Sequence, residues 1–138
     1  MREREAFEHA VVRVVPRMER GECLNAGVVV ICRARRYLAA RVGLDRARLA
    51  AFAPWLDGPD LAAIEANLAL IPRICAADPA SGPIAALSLS ERWHWLTVPA
   101  STIVQSGPVH TGLCPDPAAA LDRLFATLVL ATPYDPGG

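Results

Sequence analysis

The residues that could do chemistry gather late in the chain. His110 stands four residues before Cys114 in Gly107-Pro-Val-His-Thr-Gly-Leu-Cys114, the closest a histidine comes to a cysteine. An imidazole that takes a thiol proton creates a thiolate nucleophile. The pair therefore defines one candidate, a small hydrolase or transferase for a phosphorylated or acyl substrate, with His110 as acid/base. Spacing alone carries little. Such a mechanism also needs an orienting third group and a sharply turned nucleophile, as in a G-x-S-x-G elbow, and neither is written here. Cys114 reads as simply as a core thiol ahead of a helix.

The same stretch offers binding chemistry. Ser101, Thr102, Ser106 and Thr111 bring hydroxyls, Gln105 an amide, Arg92 a charge, and His94 and His110 imidazoles. Hydroxyls, backbone N–H groups and an arginine suit a phosphate or a carboxylate. Two glycines and a proline flank His110 and predict that it is displayed from a loop, where binding groups often sit. The plainer reading is that these Ser and Thr side chains satisfy their own backbone. His94, between Trp93 and Trp95, either meets a ligand or rests half-buried on a strand; the second is simpler. A further polar focus is Arg17, Arg20, Glu22 and Asn25, which either borders the same cleft or is an ordinary surface salt bridge.

Several classes are excluded. No G-x-x-x-x-G-K loop cradles a nucleotide, the acids are too scattered to hold a metal, and no cofactor motif is present. The cysteines at 23, 32, 75 and 114 lack C-x-x-C spacing and read as reduced, mostly buried thiols. No apolar run reaches the ~18–20 residues that cross a bilayer, and the charged start is no signal peptide, so a soluble cytoplasmic protein is expected. Every basic residue is arginine. Residues 1–48 carry 11 Arg against 6 acids and residues 49–138 carry 3 against 8, so a net charge of zero hides a basic and an acidic part. That asymmetry suits an anionic or protein partner. A nucleic-acid binder would be basic throughout, so binding through the N-terminal arginines ranks last.

The elements that must position these groups follow from pattern and punctuation. His9–Pro16 is β-branched and reads as a strand, with Arg13 interrupting one face so that this face reaches solvent or a site. Gly21 serves a turn, and Glu22–Cys32 and Tyr37–Val42 complete an antiparallel meander, with a bulge or close backbone approach near Asn25 and Gly27. Asp45 caps a short helix stapled by Leu44 and Leu49, which Pro54 ends. Asp57 or Gly58 opens a second helix striped by Leu61, Ile64, Leu68 and Ile71, which Pro72 should kink or end. Residues 76–83 are loop. Arg92–Val98 alternates like a strand, placing Trp93 and Trp95 in the core, and Thr102–Gln105 could add a short one. Asp116 and Pro117 start a last helix bearing Leu121, Leu124, Phe125 and Leu128. Residues 1–130 read as one domain and 131–138 as a disordered tail.

The strings Arg13-Val-Val-Pro16, Glu22 with Asn25-Ala-Gly-Val28, Gly82-Pro-Ile84, Glu91-Arg-Trp93, Pro99-Ala-Ser-Thr102 and Val109-His-Thr-Gly-Leu-Cys114 together resemble an uncharacterised bacterial family, the domain of unknown function DUF3037. The likeness spans residues 9–130, with Ala26 standing where a valine is expected. It implies no activity and no catalytic residue. Some members are encoded beside HipA-like kinase genes, which implies a protein partner of that kind.

The fold expected is α+β: an antiparallel sheet of four or five strands with about three helices packed mainly on one face. The function expected first is a non-catalytic binding or accessory protein that uses the 92–112 face for a partner protein or a small anionic ligand.

Overall fold

The computed structural model describes residues 3–99 and 102–130. Four antiparallel strands form one sheet: β1 (Glu5–Val14), β2 (Leu24–Cys32), β3 (Tyr37–Val42) and β4 (Val104–Cys114), in the order β3-β2-β1-β4. The meander of the first three follows from short turns. Gly21 takes a positive φ of 70° between β1 and β2, and Arg36 closes the next reversal at φ 51°. β4 returns from far along the chain to pair β1 on its other side, from Glu5↔Cys114 to Val14↔Val104.

Four helices complete the α+β fold: α1 (Arg46–Phe52), α2 (Gly58–Cys75), α3 (Leu89–Thr97) and α4 (Pro117–Leu128). Each begins at a side-chain cap. Asp45 accepts from the Arg48 N–H, Asp57 and Asp60 form a capping box, Ser88 and Glu91 form another, and Asp116 accepts from Ala118. Pro72 does not end α2, which runs on to Cys75.

Strand alternation gives the sheet two faces. Ala10, Val12, Val14, Val29, Ile31 and Leu38 pack with Leu49 of α1, Ile64 and Leu68 of α2 and Trp93 of α3. Leu49 is wholly buried, a burial that stabilises by about 2–3 kcal/mol. On the opposite face Phe7, Val28, Val30 and Cys32 meet Leu121 and Phe125 of α4. Three helices thus cover one face and a single helix covers part of the other.

Two expectations need correction. Arg92–Val98 is no strand: the Ser88–Glu91 capping box starts a helix, and at helical pitch Trp93 is buried at 4% exposure while Trp95 stands 47% exposed. The stretch around His110 is no loop either. It is strand β4, and Gly107-Pro108 form a bulge where the register shifts from Val12↔Ser106 to Ala10↔Val109. The expected tail at 131–138 lies outside the described residues.

Candidate functional site

The structure disperses much of the set predicted from sequence. Arg92 is buried at 8% exposure, and its guanidinium donates to the carbonyls of Leu87, Ile74 and Cys75. It holds the end of α2 to α3 and has no face for a ligand. His110 and Cys114 sit four positions apart on an extended strand, which separates them by about 13 Å. Cys114 is buried beneath α4, where burial first and neighbouring Cys32 second raise its thiol pKa. They form no nucleophile–base pair. Thr102 donates to the Val104 carbonyl and Ser106 to that of Gly107, so these hydroxyls satisfy local backbone. Thr111 is exposed on the outer strand. Ser101 lies outside the described residues.

The second polar focus divides between two places. Arg20 pairs with Glu22 at the surface, and the Arg17 and Arg20 guanidiniums lie 4.9 and 5.8 Å from the Trp55 ring. Asn25 instead donates to the Leu128 carbonyl at the end of α4.

What the fold does assemble is a groove between α2, the end of α3 and the start of β4. Its volume is about 430 Å³, and Leu70, Ile71, Trp95, Val98, Ile103 and Val104 form its apolar wall. Asn67, Thr102, Gln105 and Ser106 supply an uncharged polar rim. Trp95, Val98 and Ile103 are all exposed there. Helix pitch creates this: Trp93 and Leu96 turn toward the sheet, which leaves Trp95 pointing away from it. His94 lines a second, more open hollow of about 550 Å³ between α3 and β4, beside the Glu8–Arg33 ion pair.

The opposite face of β1 and β4 has its own character. α4 packs over β2, β3 and the Phe7–Cys114 end of the β1–β4 pair and leaves the rest of that pair without a helix among the described residues. On this face Val30, His9 and His110 lie abreast in register, as do Asn25, Arg13 and Gln105. The His9 ring stacks between Phe7 and His110, with centroids at 5.9 and 5.3 Å. Burial, then the neighbouring His110, lowers its pKa. The His9 Nδ1 and the Gln105 Nε2 are both closed off from solvent without a hydrogen-bond partner. His9 and Arg13 were not among the predicted site residues. The signal for Arg13 was present, as the one charge inside a valine-rich strand; His9 carried none, because its partner strand looked like a loop.

Residues 9–129 match the model of a family described as protein of unknown function (DUF3037). The chain belongs to that family. No curated protein and no solved structure matches it.

In this DUF3037 chain burial raises the thiol pKa of Cys114 and pushes that of Cys75 up to about 12, and a thiol reacts as the thiolate. Among the described residues no group of three or more metal-ligating side chains comes together, and no helix is long and apolar enough to cross a membrane. An exposed tryptophan stands beside isoleucine and valine, rimmed by uncharged polar groups.

Proposed function

We propose that this chain is a cytoplasmic accessory protein without chemistry of its own, which seats an apolar segment of a partner protein in the groove between α2, α3 and β4. The exposure of Trp95 over that groove carries the reading. Leaving about half of a large aromatic and of two aliphatic side chains in water costs on the order of 1 kcal/mol each relative to full burial, and a bound segment recovers it. Tryptophan is also the side chain most enriched among residues that dominate binding energy. The groove rim has no charge, so selectivity rests on shape and on hydrogen bonds to Asn67.

The family resemblance makes a HipA-like kinase the first partner to try. The arginine-rich part does not favour nucleic acid, because Arg20, Arg33, Arg41 and Arg46 are already paired with Glu22, Glu8, Asp122 and Asp/Glu partners of the same kind, Glu65 in the last case. The test is calorimetric titration of the purified chain with a HipA-like kinase of the kind encoded beside some members of the family. Binding is expected, weakened about thirtyfold in Trp95→Ala, with circular dichroism unchanged. No binding overturns the reading. So does self-association of the chain that Trp95→Ala abolishes, since the occupant is then a second copy.

A further inference from the structure

On the helix-free part of the β1–β4 pair, away from the groove, one basic group lacks what its neighbours have. Arg41 has Asp122 at 3.1 Å and the Phe125 ring at 4.4 Å. Arg33 and Arg46 have carboxylates. Arg13 is half-buried in the middle of the sheet and meets no acidic side chain among the described residues. A guanidinium partly withdrawn from water gains most from an anion that returns its hydrogen bonds.

The backbone is shaped around that guanidinium. A Cβ at Gly107 would stand 2.9 Å from the Arg13 Cζ, 3.0 Å from Nε and 3.1 Å from Nη2. The plane of the fork therefore lies over the bulge of β4, in space that only glycine leaves free. Abreast of Arg13 in register is Gln105, whose Nε2 has hydrogens to give and no acceptor. On the other side Asn25 is spent on the Leu128 carbonyl. Donors outnumber acceptors across this row.

We propose that Arg13 and Gln105 form a carboxylate-binding site over Gly107. The guanidinium offers two parallel N–H groups to the two oxygens, and the glutamine amide turns about its terminal torsions to share one of them. A planar two-oxygen anion matches a single fork, whereas a phosphate dianion calls for more positive charge than one arginine supplies. Neutral His9, further along β1, adds none. Val11, the next residue of β1 on this face, is half-buried and gives the acid's carbon body an apolar bed. A small monocarboxylic acid and the C-terminal carboxylate of a peptide share this chemistry.

The experiment is a titration of the full chain with benzoate, with an acetylated dipeptide bearing a free C-terminus, and with the same dipeptide amidated, followed by the NMR signals of the Gln105 side-chain amide and the Arg13 Nε–H. Saturable shifts of both signals by benzoate and by the free dipeptide, but not by the amide, are expected. The tighter of the two names the source. Gly107→Ala drives the flexible guanidinium off the bulge without touching the core and should weaken binding tenfold or more; Arg13→Gln should do the same. Three outcomes overturn the proposal: no saturable shift, equal shifts from inorganic phosphate or chloride at matched ionic strength, or a folded Gly107→Ala that binds as the wild type does. Trp95→Ala should leave this binding unchanged, so the site stands or falls independently of the groove.

Discussion

The His9 imidazole lies against that of His110 across the β1–β4 pair, with ring centroids 5.3 Å apart and planes within 29°. A protonated His9 would be charged, partly desolvated and beside a second base, so its pKa falls below the ordinary 6.5, burial being the larger cause and His110 the smaller. In the unfolded chain His9 still takes a proton near 6.5. Between that value and the lower folded one the unfolded state binds more protons, so stability rises with pH there and is lost as pH falls through the window. The urea midpoint should decline on going from pH 7 toward pH 5. His9→Gln should flatten that decline, while His110→Ala should remove only the smaller part. Glu91 and Asp78, whose pKa values are lowered by hydrogen bonds, add a separate loss at more acidic pH.

Arg92 joins the last turn of α2 to the start of α3 through three carbonyls. Arg92→Ala should leave the buried Cys75 carbonyl unpaired, that of Ile74 keeping the Ala77 N–H, and cost about 2 kcal/mol, lowering the melting temperature by roughly 7 °C. Arg92→Lys keeps a charge but not the fork, and should fall between. Thermal unfolding followed by circular dichroism measures both. Ligand and partner binding by the folded fraction should not change.

The glycines separate by what a methyl group would meet. At Gly27 an added Cβ comes to 2.9 Å from Val42 Cγ1 and 3.0 Å from the Arg41 carbonyl, both fixed by the β2–β3 pair. Gly27→Ala should destabilise by about 2 kcal/mol. At Gly43 the nearest atom is the Phe125 Cζ at 3.4 Å, so Gly43→Ala should be nearly neutral. The difference between their urea midpoints is the readout.

The meander and the starts of three of the helices were legible in the sequence because each is a local agreement of pattern and punctuation. Tyr37–Val42 has the bounds predicted for it, Asp45, Asp57 and Asp116 cap where expected, and the bulge beside Asn25 and Gly27 falls at Ala26. α3 was hidden because Trp, Thr and Val favour strands, although Ser88-x-x-Glu91 upstream is a capping box written out in letters. β4 was hidden by Gly107-Pro108, which break a central strand but are admitted at a bulge on an edge. These two misreadings fall on the same stretch, and they are why the site looked like one loop. Arg92 was read as displayed and is buried; Trp95 was read as buried and is displayed.

The four cysteines are all free, with Cys23 exposed and Cys32, Cys75 and Cys114 buried. Burial also raises the thiol pKa values of Cys75 and Cys114, so neither offers an accessible thiolate. A thiol-reactive chromogen should therefore label one equivalent per native chain within minutes and the other three only in denaturant. Cys23→Ser should abolish the fast phase and leave the urea midpoint within about 0.5 kcal/mol of the wild type.

The pairing of β1 with β4 has a consequence for how the chain is made. β1 is an interior strand, yet one of its two neighbours, β2, follows within a short turn while the other begins only at Val104. A ribosome adding 5–20 residues per second needs several seconds to travel that distance. Throughout that interval the nascent meander can close between β1 and β2, while the other side of β1, with Phe7 and His9 on it, waits as an open edge facing the crowded exit of the translation machinery. Of the four strands β4 is the last to emerge, and it seals the sheet along the one that emerged first.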